Sequence, residues 1–282
     1  MKNATPLKWH GGKHYLADRI IELMPDHTHY VEPYFGGGQV LFRKPCEGIS
    51  EVVNDLNGSL TDFWKVLRDD GSFAEFSRQI QFVPFSESEF EDAYCDDAPW
   101  ISHCVASAIN FFIKYRQSRQ GLGKDFATLS RNRTRRGMNE QVSSWLSAID
   151  GLPEAHERLQ RVVILNQDAV DVIETQDGPN TFFYLDPPYL HETRVTTKDY
   201  EHEMTEVQHS SLLMCLEGIQ GKFILSGYRN ENYDAMAKCN GWGRIDIEID
   251  NKASSAKTKQ KKTECLWMNF PANLKEEHHA RG

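Results

Sequence analysis

The sequence predicts a doubly wound α/β sheet that carries an insertion. Three observations point there. Short apolar runs that end in polar or acidic residues recur along the chain; segments with helical periodicity lie between most of them; and residues 72–153 break that alternation. A chain of 282 residues can bury a sizeable core as one domain holding an inserted one.

Near the start, Tyr15, Leu16, Ile20, Ile21 and Leu23 recur at helical spacing after Gly11 and Gly12, and Pro25 stops the pattern. Residues 30–32 form a strand candidate that runs through Pro33 into Phe35-Gly36-Gly37-Gly38, with a helix restarting at 39–43. Residues 51–54 read as a second strand ending in Asp55. Leu60, Phe63, Trp64 and Leu67 fall at i, i+3, i+4 and i+7, so a helix follows the polar start Asn57-Gly58-Ser59, and Gly71 ends it. The next stretch contains an acidic segment (87–97), an apolar helix (101–113), a basic segment to Gly137, and helical material around Trp145, Leu146, Ile149 and Leu152. The domain reading is therefore 1–71 with 154–282 as one α/β domain, and 72–153 as a mostly helical insertion. Strands resume at 161–165, 181–185, 222–226, 244–249 and 264–270, with a helix at 207–219 and a lysine-rich loop at 252–262. That makes seven strands with helices on both faces, and a frayed tail at 274–282.

The net charge of -9 argues, as an average, against a nucleic-acid partner, but the distribution says otherwise. Lys114, Arg116, Arg119, Lys124, Arg131, Arg133, Arg135 and Arg136 face a single acid, Asp125, over that span. Lys252, Lys257, Lys259, Lys261 and Lys262 form a second patch with no acid. No apolar run approaches the roughly 18 residues needed to span a bilayer, and MKNATPLKWHGGK has no apolar centre, so a cytoplasmic protein without a secretory leader is expected. The six cysteines have no CxxC pair, and no HExxH occurs; His27/His29 and His278/His279 read as loop and tail residues, so no metal is assigned and the thiols are expected to be reduced.

Four acids, Glu32, Asp55, Asp168 and Asp186, stand at or just past strand ends beside one glycine loop. In open α/β sheets that rim is where ligands bind. Glycines after a strand allow close approach of a ligand to the backbone, or make a tight turn. Asp55, about twenty residues on, can accept hydrogen bonds from ribose hydroxyls or cap the next helix. GxGxxG is absent, and Glu32 before the loop would repel a pyrophosphate. S-adenosylmethionine has an adenosine and two cationic groups but no phosphate, and suits this rim better than a dinucleotide.

Five motifs occur in order: LKWHGGK (7–13), YVEPYFGGG (30–38), VVNDLN (52–57), ILNQDA (164–169) and YLDPPY (184–189). On these the chain resembles the Dam-type (D12 class, alpha group) site-specific DNA adenine-N6 methyltransferases. The resemblance implies a Rossmann-like seven-stranded methyltransferase sheet with a target-recognition insertion, S-adenosyl-L-methionine as methyl donor, S-adenosyl-L-homocysteine as product, no metal, and double-stranded DNA as partner. It implies that Trp9 and Lys13 contact the methionine end of the cofactor, with Glu32, Pro33, Gly36 and Gly38 lining it, Asp55 on the ribose and Asp168 on the adenine amine. Packing for Trp9 and a turn for Asp168 are the plain alternatives.

Asp186, Pro187, Pro188 and Tyr189 are the catalytic candidates. Adenine N6 is a poor nucleophile because its lone pair is delocalised into the ring. Asp186 and the Pro187 carbonyl can each accept an N6 hydrogen bond and favour the pyramidal amine, while Tyr189 stacks on a flipped base; Tyr200 is a second stacking candidate or a core or loop aromatic. The eight basic residues from Lys114 to Arg136, with Lys257, Lys259, Lys261 and Lys262, are the DNA-contact candidates, any one of which could be a solvated charge. The segment RQSRQGLGKDFATLSRNRTRRG lacks the NRYGYNG-like stretch of the GATC-modifying relatives, so the target sequence stays open. Same-fold enzymes acting on RNA adenine, protein glutamine or cytosine N4, and a catalytically silent DNA-binding scaffold, are the competing readings; Asp186 in the first motif position and the intact rim favour DNA adenine. A monomer or weak self-association is expected from the resemblance.

Overall fold

The structure is a computed structural model and describes residues 5–9, 11–95, 104–129, 131–189, 204–250 and 261–271. In chain order its first elements are α1 (Ala17–Leu23), β1 (His29–Glu32), β2 (Ser50–Asn54), α2 (Gly58–Arg68), α3 (Asp70–Ile80), α4 (Glu87–Cys95) and α5 (Val105–Arg116). Next come β3 (Thr134–Arg135), β4 (Met138–Asn139), α6 (Glu140–Asp150), α7 (Leu152–Leu159), β5 (Val162–Leu165) and α8 (Ala169–Gln176). The last are β6 (Thr181–Leu185), α9 (Glu206–Gly218), β7 (Lys222–Tyr228), α10 (Glu231–Asn240), β8 (Gly243–Asp250) and β9 (Lys261–Met268). The fold is mixed α/β with a seven-stranded, mostly parallel main sheet, and each predicted strand is present. Two compact units divide the chain: Met1–Asp18 with Tyr34–Ala169, and Arg19–Pro33 with Val170–Gly282.

In the first unit β2 pairs in parallel with β5, Val52 opposite Val163. Helix α2 follows at the predicted place: the Asn57 side chain accepts the Leu60 N–H at 2.9 Å, and Leu60, Phe63, Trp64 and Leu67 are buried. The predicted stop at Gly71 is not used. Asp69 ends α2 through its own N–H to the Lys65 carbonyl and starts α3 by accepting the Ser72 N–H, so Gly71 lies in the first turn of the next helix. The predicted helix at 39–43 is instead a set of turns. Only six residues separate Gly38 from Pro45, and Pro45 cannot extend a helical ladder. The acidic segment becomes α4, and the apolar helix is α5, whose Phe112 packs against Phe63, Phe76 and Trp145. Strands β3 and β4 form a small hairpin with Arg136 and Gly137 at positive φ, as a tight two-residue turn requires.

In the second unit β6 pairs in parallel with β1 on one side and β7 on the other, and all five of its residues are buried, as befits a strand covered on both faces. β9, the last strand in sequence, runs antiparallel to both β7 and β8 and lies between them. It begins at Lys261, so Lys261 and Lys262 belong to the strand and not to the loop expected there. Helices α8 and α10 were not apparent in the sequence pattern; α9 was, and it starts on a Thr205/Gln208 capping box. No helix among the described residues is long and apolar enough to cross a membrane.

Candidate active site

The first unit holds four of the five motifs wholly or in part. Past β1, the Phe35 N–H donates to the Asn54 carbonyl at 2.8 Å, and the Gly36 N–H donates to Asp55 Oδ2 at 2.8 Å. Asp55 Oδ1 accepts the Asn57 N–H at 2.9 Å. Asp55 therefore does not cap α2, which Asn57 does; its carboxylate ties the glycine loop to the β2–α2 turn. Trp64 Nε1–H closes the other side on the Gly36 carbonyl at 3.1 Å. Gly38 has φ +67°, and a Cβ there would lie 2.7 Å from the Phe35 ring, so this glycine is dictated by backbone and packing alone.

The ends of β2 and β5 are laced together. Asn54 Nδ2 donates to the Gln167 carbonyl at 3.1 Å, and the Gln167 N–H returns a bond to Asn54 Oδ1 at 2.9 Å. Asn166 Nδ2 donates to the carbonyls of Asp55 and Leu56 at 2.8 and 3.1 Å. This lacing brings the VVNDLN and ILNQDA motifs side by side, with Asp168 exposed just before α8. Lys13 is buried ahead of α1, and Trp9 packs its ring 4.8 Å from Tyr115. Sequence reasoning singled out neither Asn54 nor Gln167, because ordinary polar residues at strand ends carry no signal until the strands are paired.

In the second unit Glu32 ends β1, is buried, and accepts the Tyr30 hydroxyl at 2.8 Å; Pro33 follows it. Asp186 stands directly after β6, half-buried, and its Oδ1 accepts the Ser226 hydroxyl at 3.0 Å. Ser226 is fully buried on β7 within 3.4 Å of the Tyr184 hydroxyl. Pro187 is buried, and the Pro188 carbonyl interacts with the buried His209 of α9, whose Nδ1 lies 2.6 Å from the Tyr233 hydroxyl. Burial holds the His209 imidazole below its ordinary pKa, with the Pro188 carbonyl pulling weakly the other way. The Tyr189 hydroxyl donates to Glu264 Oε1 at 2.6 Å, and its ring lies 4.4 Å from that of Tyr228. Each of Asp186, Pro188 and Tyr189 thus has its own support, from Ser226, His209 and Glu264. The sequence pointed to none of the three.

The basic candidates separate into kinds. Arg119, Lys124, Arg131, Arg133, Arg135 and Arg136 are exposed, and Arg135 and Arg136 belong to the β3–β4 hairpin. Arg133 lies 3.7 Å from Glu140, and Arg136 lies 3.6 Å from Asp150. Lys114 lies 5.1 Å over the Tyr94 ring. Arg116 differs: its guanidinium donates to the Ser144 carbonyl at 2.7 Å, and burial pushes its pKa down to about 10. Tyr200, Lys257 and Lys259 lie outside the described residues, as do the side chains of Lys261 and Lys262. Among the described residues no group of three or more His, Cys, Asp or Glu is placed to hold a metal ion.

Comparison with known proteins adds an independent line. The family described as D12 class N6 adenine-specific DNA methyltransferase matches residues 9–97 and 125–255. A type II methyltransferase of Lactococcus lactis subsp. cremoris is 26% identical over 93% of this chain and 94% of its own length. A DNA adenine methylase of Vibrio cholerae serotype O1 is 30% identical over 34% of this chain and 33% of its own. A type II methyltransferase of Methanocaldococcus jannaschii is 24% identical over 65% of this chain and 68% of its own. The family match breaks at 98–124, which contains Lys114, Arg116, Arg119 and Lys124.

Proposed function

Since this chain belongs to the D12 class of N6 adenine-specific DNA methyltransferases and methylates adenine in DNA, we propose that Asp186, Pro187, Pro188 and Tyr189 carry the transfer on a base flipped out of the duplex. The observation that supports this most is the state of Asp186. It sits at the carboxyl end of a buried parallel strand, with the Ser226 hydroxyl on Oδ1 orienting its carboxylate. A carboxylate so held, together with the Pro187 carbonyl, accepts both N6 hydrogen bonds and draws the nitrogen toward tetrahedral geometry. The N6 lone pair would form the new N–C bond as the donor's S–C bond breaks, and the N6 proton, acidic once nitrogen has bonded carbon, would pass to the Asp186 carboxylate and on to solvent. Tyr189 stacks on the extruded ring and offsets part of the few kcal/mol that extrusion costs.

S-adenosylmethionine supplies an electrophilic methyl group and leaves as S-adenosylhomocysteine. The residues fit such a group: Lys13 and Asp55 offer a cation for a carboxylate and an acceptor for hydroxyls, and the loop that the Asp55 carboxylate holds carries no side chains at 36–38. In this reading Trp9, Lys13, Gly36, Gly38, Asp55 and Asp168 hold the cofactor, with Glu32 and Pro33 added from their place in the motif. Residues 72–153 form the target-recognition insertion, and the exposed arginines of 131–136 contact phosphates of duplex DNA. The same reading makes it a cytoplasmic enzyme that acts as a monomer or with weak self-association.

Incubation of the protein with unmethylated DNA and S-adenosylmethionine yields N6-methyladenine by nucleoside mass spectrometry, and Asp186→Ala abolishes it. Methylation at the wild-type rate by D186A would remove Asp186 from the chemistry. Sequencing of modified bases in the same DNA gives the target site.

A further inference from the structure

Glu264 is buried in the middle of a sheet, where its chain neighbours Cys265, Leu266 and Trp267 are equally enclosed. Burying a carboxyl group there is costly unless hydrogen bonds offset its lost hydration, and an apolar residue would pack at less cost. Its Oε1 accepts the hydroxyl of Tyr189, 75 residues away in sequence, at 2.6 Å. In register Glu264 lies opposite Tyr228 of β7, and opposed residues of an antiparallel pair project on the same face. Tyr228 meets Tyr189 ring to ring, at 4.4 Å and 42°. One strand pair thus grips both the tip and the face of the Tyr189 side chain.

We propose that Glu264 is a positioning residue for methyl transfer: it fixes the pitch of the Tyr189 ring so that the extruded adenine stacks with N6 presented to Asp186. The proposal rests on the reading of Tyr189 as the stacking residue. It explains why a carboxyl group stands at a sheet position where apolar packing alone would serve.

The test uses the full-length protein with S-adenosylmethionine and unmethylated DNA. For E264A, E264Q, Y189F and Y189A, kcat, KM for both substrates and the melting temperature are measured. E264A lowers kcat on the order of tenfold to a hundredfold, the range a hydrogen bond to an ionisable group can carry, with KM for S-adenosylmethionine unchanged. E264Q, whose amide oxygen accepts the same bond, recovers most of the rate, and Y189F, which lacks the hydroxyl but keeps the ring, falls to match E264A. A plain packing role for Glu264 predicts lowered melting temperatures with kcat preserved, and that result overturns the proposal. So does a wild-type kcat in Y189F, a variant that leaves the sheet untouched. A wild-type kcat in Y189A removes the stacking reading itself, and the proposal with it.

Discussion

His209 illustrates how one side chain links the Asp186–Tyr189 segment to the stability of the fold. Burial holds its pKa below the ordinary value in the folded protein, while in the unfolded chain it titrates near that value of about 6.5. Between the folded and unfolded values the unfolded state binds more protons, so this group's contribution is fully present above about pH 6.5 and is lost as pH falls toward the folded value. The melting temperature of the wild type should therefore drop between about pH 7.5 and pH 5.5 by more than that of His209→Gln, which cannot take the proton. Equal drops would mean that His209 does not titrate in this window. Little of this was open to sequence reading. Asp186 and its prolines announced themselves because a run of apolar residues stops at them, but Ser226, His209 and Glu264 are separated from them in sequence by intervals that no pattern encodes.

At the scale of elements, the glycine loop is held by packing as much as it is open to a ligand. Gly38→Ala places a methyl group 2.7 Å from the Phe35 ring and 2.8 Å from that of Phe42, at a φ that side chains rarely adopt. Differential scanning calorimetry should show a loss of about 2 kcal/mol or more, from backbone strain and overpacking together. Elements with strong periodicity were legible: α2 from its i, i+3, i+4, i+7 residues, β6 from its unbroken apolar run. Those without it were not. Helix α4 is mostly polar, and α3 begins at a residue that also ends α2, so the glycine in its first turn reads as a stop. The turns at 39–43 have the composition of a helix but too few residues before Pro45 to propagate one.

For the whole molecule, the acidic average conceals where the positive charge sits. Binding to duplex DNA should weaken steeply with salt, and neutralising Arg131, Arg133, Arg135 and Arg136 together should lower the slope of log K against log salt by about one for each phosphate no longer neutralised, as measured by fluorescence anisotropy. An unchanged slope would remove this segment from the interface. The order of strands carries a consequence for synthesis. β9 follows all five motifs in sequence, yet it fills the gap between β7 and β8 and brings Glu264 to Tyr189. Until β9 is made, β7 presents an unpaired edge, and the Tyr189 hydroxyl has no Glu264 to donate to. A nascent chain that already carries all five motifs is thus still without the strand that joins β7 to β8 and reaches Tyr189.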